Sequence, residues 1–315
     1  MKIGLTMPLA EDDRSHPPSY AELRTLAQHA EAAGLDSLWV FDHLFLDRGF
    51  VGLADGHFTT DDPPLVGVHE CWTILAALAA DTHRVELGTL VVATGFRNPA
   101  LLAKMAVTAD EVSGGRLVLG VGCGWNPPEY EAFGFPYDNR VARFEEALQI
   151  IHPLLRGERV TFRGTYYQTV DAVLRPGGPR PTGPPVLIAS RKPRMHRLVA
   201  RYADLWNTAW LGDPADLDRR MIGLQDACRA EERDMATLAI TVGVNVVFGD
   251  LLSGRERLPR ASVPGSSEAL ARALDGYAMR GVDQVIFRLT PCTPAAIDAV
   301  AAVVMNVIPT FTEST

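Results

Sequence analysis

Lysine is nearly absent from this chain: it stands only at positions 2, 104 and 192, and the other 27 of the 30 cationic residues are arginine. Those arginines form no basic block, and the formal net charge is −8. Nucleic acid and anionic membrane surfaces both require clustered Lys and Arg, so neither is expected as the main partner. Cysteine is scarce as well. Cys71, Cys123, Cys228 and Cys292 lie far apart, with no CxxC and no His or Cys at metal-site spacing, which argues against a zinc knuckle or a disulfide scaffold. The eight histidines include no HExxH and no HxH after the first apolar run, so a barrel metallohydrolase is not supported. No apolar run approaches the ~18 residues of a spanning helix. The opening "MKIGLTMPLAEDD" turns acidic too early for a signal peptide. Together these absences predict a soluble protein of the reducing cytoplasm.

What is present is ordinary in bulk and informative in order. The chain has 315 residues, 47% apolar and 22% charged, which suits a globular protein with a substantial core. Short apolar β-rich runs alternate with longer amphipathic stretches, the pattern of a parallel sheet with crossover helices. The runs at 3–7, 37–41, 85–92, 116–122, 185–190, 204–209, 239–248 and 284–290 make eight candidate strands. Helical stretches include 19–34, stopped by Gly34, and 99–115, which opens on Pro99 and ends on Gly114–Gly115. Eight β/α repeats with strands apolar throughout predict a (β/α)₈ barrel in one domain over 1–315, rather than an open sheet. The connections 43–69, 123–138 and 249–265 follow strand C-termini and are the expected substrate-covering segments. The stretch 157–184 reads as an added hairpin around Arg163–Gly164.

Several positions at the expected barrel mouth carry chemistry. Asp42 and His43 follow the second strand. An imidazole there exchanges a proton near neutral pH, and a neighbouring carboxylate can orient a ring; a solvated polar pair ending a strand is the bland alternative. "LGVGCGWNPPEY" places Gly120, Gly122 and Gly124 where a flat ligand or phosphate can approach the backbone, although a tight strand exit needs glycine too. It is not a dinucleotide fingerprint. The spacing is GxGxG, and Pro127–Pro128 stand where the helix should begin. Ser190, Arg191 and Lys192 combine a hydroxyl, two cations and a coming helix N-terminus near Pro193, the elements of a phosphate site or of a solvated basic turn. Trp125, Trp206 and Trp210 lie near the same mouth, as pocket or as core. Trp72 reads as core. The segment carrying Phe45, Phe50, Phe58 and His69 points to a partly apolar substrate.

The order of "GLDSLWVFDH", "VELGTLVVATGFRNPALLAKMAVTADEVSGGRLVLGVGCGWNPPEYEAFG", "RFEEALQIIHPLLRGERVTFRGTYY" and "LVARYADLWN" resembles the bacterial luciferase-like monooxygenase superfamily, with "VPGSSEALARALDGYAMRGVDQVIFRL" similar to its last helix and strand. The resemblance implies a (β/α)₈ barrel with insertions and a flavin or deazaflavin over its mouth. Asp-His after the second strand is common in members using coenzyme F420, whereas luciferase proper has a Glu-His-His run, so the resemblance lies nearer the F420 branch. It implies a non-prolyl cis peptide at Leu90–Val91, and cofactor contacts from Asp42, Leu90, Val91, Gly122, Cys123, Gly124, Trp125, Ala189, Ser190 and Arg191. Trp125 stands where F420-dependent glucose-6-phosphate dehydrogenases have glutamate, and Ser190–Arg191 where they have two glycines, which argues against sugar-phosphate oxidation. The leading expectation is F420-dependent hydride transfer with His43 exchanging the proton and Asp42 positioning the ring or its partner. The alternatives are a two-component FMN monooxygenase fed by a separate flavin reductase, and a flavin-binding barrel without turnover. A homodimer and a small-molecule substrate are implied as well.

Overall fold

Every one of the eight apolar runs is a strand of one closed parallel barrel. In the computed structural model, which describes residues 1–11, 16–47, 65–254, 256, 258–259 and 261–307, the barrel strands are β1 (Lys2–Thr6), β2 (Ser37–Val40), β3 (Glu86–Thr89), β4 (Leu117–Gly122), β5 (Val186–Ala189), β6 (Leu205–Leu211), β7 (Ala239–Val247) and β8 (Gln284–Thr290). They pair in sequence order, and β8 returns to β1, so the sheet has no free edge. Around it run α1 (Tyr20–Ala32), α2 (Cys71–Asp81), α3 (Pro99–Val112), α4 (Pro127–Phe133), α5 (Arg140–Leu155), α6 (Pro193–Tyr202), α7 (Asp216–Ala230), α8 (Ser267–Ala278) and α9 (Pro294–Val307). Among the described residues no helix is long and apolar enough to cross a membrane.

Local chemistry sets the boundaries. Ser19 and Glu22 form a reciprocal capping box on α1, and Gly34, at φ +92°, terminates it. Asn98 caps α3 ahead of Pro99. The third strand is shorter than expected: it stops at Thr89, the Leu90–Val91 peptide is cis, and pairing resumes at Val92–Ala93 beside β4. The expected hairpin is present, Val160–Arg163 pairing antiparallel with Gln168–Ala172. The segment 123–138 is not all loop. α4 starts at Pro127, because proline at the first helical positions lacks only an N–H that would be unpaired anyway.

The barrel interior is plugged by Trp39 of β2, fully buried with Val118, Leu187 and Ile286. The indole fits because β1 and β3 carry Gly4 and Gly88 beside it; a Cβ on Gly88 would lie 2.3 Å from the Trp39 ring. Its Nε1 donates to Ser37 Oγ at 2.8 Å, and Gln284 Nε2 donates to the same oxygen at 2.7 Å, which closes β2 against β8. Leu90 and Val91 pack on this plug and form a floor. Above it the barrel is open.

Candidate functional site

A cavity of about 640 Å³ occupies the barrel mouth. The C-terminal ends of β1–β6 and β8 line it, which is where barrel loops assemble active sites. All of Asp42, His43, Leu90, Val91, Gly122, Cys123, Gly124, Trp125, Ala189, Ser190 and Arg191 are on its wall. The three mouth tryptophans divide. Trp125 and Trp210 line the cavity, whereas Trp206 is fully buried and donates Nε1 to Ser190 Oγ at 2.9 Å. Trp72 is buried in the outer core, as expected. Leu46 reaches the cavity, but Phe45 packs toward Phe133 and His69 bonds the Pro18 carbonyl. Phe50 and Phe58 lie outside the described residues.

Asp42 and His43 do not serve each other. The Asp42 carboxylate, 4% exposed as a residue, takes a bidentate pair from Arg97 (Nη1 to Oδ2 2.6 Å, Nη2 to Oδ1 2.9 Å), the Ala93 N–H at 3.0 Å and the Cys71 thiol at 3.3 Å. Arg97 also donates to Glu70, which caps α2. Burial works against the Arg97 cation, but the hydrogen bonds and charge of Asp42 and Glu70 outweigh it and raise its pKa. Asp42, Glu70 and Cys71 stand close enough together to hold a metal ion. The Arg97 guanidinium already neutralises the two carboxylates. Asp42 therefore ties β2 to the segment after β3, and the expected role of positioning the imidazole passes to another carboxylate.

That carboxylate is Glu129 of α4, whose side chain is 1% exposed. His43 Nδ1 lies 3.0 Å from Glu129 Oε2 and 3.1 Å from Oε1. Glu129 also accepts the Leu44 N–H at 2.6 Å. Burial raises its pKa, but bonding to His43 and the Leu44 N–H outweighs burial and holds it below the ordinary carboxylate range. The ionised Glu129 takes Nδ1 as its hydrogen-bond donor, which leaves Nε2 as the ring nitrogen for proton exchange. The ring edge packs on Trp125, with centroids 5.0 Å apart. Sequence reasoning missed Glu129 and Arg97, although both sit inside the quoted family segments: "NPPEY" puts a carboxylate in the first turn of a proline-started helix, and "FRNP" puts an arginine before the α3 cap.

The glycines of β4 and its exit make room for neighbouring parts of the protein. A Cβ on Gly120 would meet the Thr89 carbonyl oxygen at 1.8 Å and one on Gly122 the Val91 side chain at 2.8 Å; Gly124 is closed off by Tyr130 Oη. The tight strand exit is the reading that holds.

At the end of β5 the picture is electrostatic. Among the described residues Arg191 has no carboxylate partner, and burial alone lowers its pKa. Arg220 of α7 reaches to Thr208 Oγ1 (2.5 Å) and the Ala209 carbonyl; burial and the neighbouring Arg191 charge lower its pKa. Two guanidiniums this close favour an anion between them. Arg191 also joins the mouth to a second cavity of about 510 Å³ between α6 and α7, lined by His196, Asp216, Arg219 and Arg220 as well.

The residues fit a flat heteroaromatic cofactor with an anionic tail. Thr6 Oγ1 and Asn207 Oδ1 are buried on the cavity wall and have no hydrogen-bond partner among the described residues, which suits the polar edge of such a ring. Leu90 and Val91 offer an apolar face, and Ser190 with Arg191 the anion end.

The family model for luciferase-like monooxygenases matches residues 1–279. A phthiodiolone/phenolphthiodiolone dimycocerosates ketoreductase of Mycobacterium tuberculosis is 30% identical over 279 residues, spanning 85% of this chain and 71% of that protein. An F420-dependent glucose-6-phosphate dehydrogenase of Amycolatopsis mediterranei is 30% identical over 72% of this chain and 65% of its own length. Among solved structures, an F420-dependent secondary alcohol dehydrogenase in complex with an F420-acetone adduct superposes with a TM-score of 0.74 at 19% identity over 97% of this chain and 98% of that one. A Streptomyces bottropensis monooxygenase superposes with a TM-score of 0.75 at 20% identity, over 99% and 100% of the two chains. The chain belongs to the luciferase-like monooxygenase family.

Proposed function

We propose that this protein is a coenzyme F420-dependent oxidoreductase that interconverts a carbonyl compound and its alcohol, with His43 exchanging the proton. The observation that carries this reading is the His43–Glu129 pair on the wall of an apolar cavity. When bound, the deazaflavin supplies or takes up the hydride. His43 Nε2 accepts the hydroxyl proton as an alcohol is oxidised, or returns a proton to the oxygen as a carbonyl is reduced. Glu129 keeps the imidazole in one tautomer and stabilises its charged form. Thr6, Asn207, Leu90 and Val91 would hold the ring, and Ser190, Arg191 and Arg220 its phosphate. A ketoreductase at 30% identity over most of the chain supports the carbonyl substrate, and the relative and the fold neighbour named for F420 support the cofactor. A cavity of about 640 Å³ is within the range of substrate-sized sites, which supports turnover over mere flavin storage.

A two-component FMN monooxygenase is the second reading. Arg191 and Arg220 would grip the FMN phosphate equally well, and a partner reductase would then be needed.

The test is His43→Ala. Affinity for F420 should stay close to wild type, while the anaerobic oxidation of reduced F420 by ketones slows by about a hundredfold or more. Loss of cofactor affinity instead would remove His43 from the proton-transfer role.

A further inference from the structure

Among the described residues Arg288 is the one cavity-lining cation on a barrel strand, and the wall it faces shows no free carboxylate. It sits on β8, in register with Asn245 of β7. Among the described residues it forms no ion pair and no side-chain hydrogen bond; its guanidinium rests 5.0 Å from the centroid of the Trp210 ring. The two carboxylates that the described residues place on the cavity wall are already engaged, Asp42 by Arg97 and Glu129 by His43 and the Leu44 N–H. Burial lowers the Arg288 pKa, with no neighbouring charge contributing, whereas Arg220 feels Arg191. Arg288 stands on β8, whereas Arg191 follows β5. The platform beneath it is built: the Trp210 ring lies over Gly243 of β7, where a Cβ would approach the ring to 2.9 Å. A cation held this way on an aromatic face is aimed into the cavity, and its desolvation is left uncompensated by the protein.

We infer that Arg288 is the substrate-anchoring residue of this cavity, and that the substrate carries a carboxylate which accepts both prongs of its guanidinium. The inference takes its site from the proposed function and adds the chemical class of the substrate. The planar fork of arginine matches a carboxylate. The anion end of the cofactor is assigned to Arg191, after β5 and three strands away around the barrel, and to Arg220, which reaches β6, while only β1 separates β8 from β2, whose end carries His43. A substrate gripped at Arg288 would therefore present its carbonyl or hydroxyl carbon toward His43, with its apolar part against Trp210 and Phe41.

Benzoate and its neutral isostere benzamide are the probes, titrated against the full chain and followed by tryptophan fluorescence and calorimetry. Wild type should bind benzoate about tenfold or more tightly than benzamide, the scale of a charge-assisted hydrogen-bonded pair. Arg288→Gln should erase that preference and Arg288→Lys retain part of it, with F420 affinity unchanged in both. Arg191→Ala should leave the benzoate preference intact. Because among the described residues Arg288 holds no ion pair or hydrogen bond whose partner would be orphaned, Arg288→Gln should melt no lower than wild type, which separates a lost anchor from a damaged fold. Equal binding of the two probes, no binding of either, a preference surviving Arg288→Gln, or a preference abolished by Arg191→Ala would each overturn the assignment. A benzoate preference that depends on Arg288 in a protein that does not bind F420 would leave this inference standing and remove the deazaflavin reading.

Discussion

His43 Nδ1 and Glu129 Oε2 lie 3.0 Å apart, although 86 residues separate them in the chain. The contact joins the end of β2 to the first turn of α4, and it gives the imidazole a fixed tautomer at the cavity wall. Glu129 acts through His43 and is a positioning residue. Glu129→Gln keeps the shape and loses the charge. It should lower kcat by about tenfold to a hundredfold, a part of the 10²–10⁴ of general acid–base catalysis, with KM nearly unmoved. An unchanged kcat would mean that Glu129 serves only the fold.

The same carboxylate makes stability depend on pH. Its folded-state pKa lies below its unfolded value, because hydrogen bonds from His43 and Leu44 outweigh the effect of burial. Its contribution is therefore full above the ordinary carboxylate pKa of about 4.3 and is lost as pH falls through the depressed folded value. Urea midpoints measured from neutral pH downward should fall more steeply for wild type than for Glu129→Gln in that acidic window.

Arg97 offsets a carboxylate that is almost fully buried. Arg97→Ala strands Asp42 and should cost about 3–5 kcal/mol, the usual penalty for leaving one member of a buried pair alone. Adding Asp42→Asn should recover a large share. Chemical denaturation of the two single variants and the double variant measures the coupling, and additive losses would contradict the pairing.

Glycine positions near the mouth should behave unequally. Gly120→Ala would drive a Cβ into the Thr89 carbonyl, and Gly134→Ala places one in open space at φ +73°. The first should destabilise by more than the ~1–3 kcal/mol of ordinary overpacking, and the second by about 1–2 kcal/mol of backbone strain. Thermal melts of the two variants give the comparison.

The barrel was readable because its strands are buried on both faces, so each appears as a short unbroken apolar run. β8 matches 284–290 to the residue, and the others shift by one or two at their ends except β3. The sequence also placed Leu90, Val91, Ser190 and Arg191 on one wall, through family resemblance rather than through any pattern of their own. What it did not reveal are the pairings. Arg97 looks like the exposed cap region of a helix, and Glu129 like a surface charge after two prolines. Their partners, 55 and 86 residues upstream, are brought to them only by the parallel pairing of β2, β3 and β4. The glycine run misled for a related reason: an open backbone invites a ligand or a neighbouring side chain, and only the fold shows that Val91 and Tyr130 come first.

The most direct measurement of the central claim is a parallel equilibrium titration of the purified protein with coenzyme F420, FMN and FAD, following ligand fluorescence. Micromolar or tighter binding of F420 alone, weakened by Arg191→Ala and unaffected by His43→Ala, is the predicted result. Preferential binding of FMN would contradict the deazaflavin assignment and direct the chemistry of His43 to oxygenation.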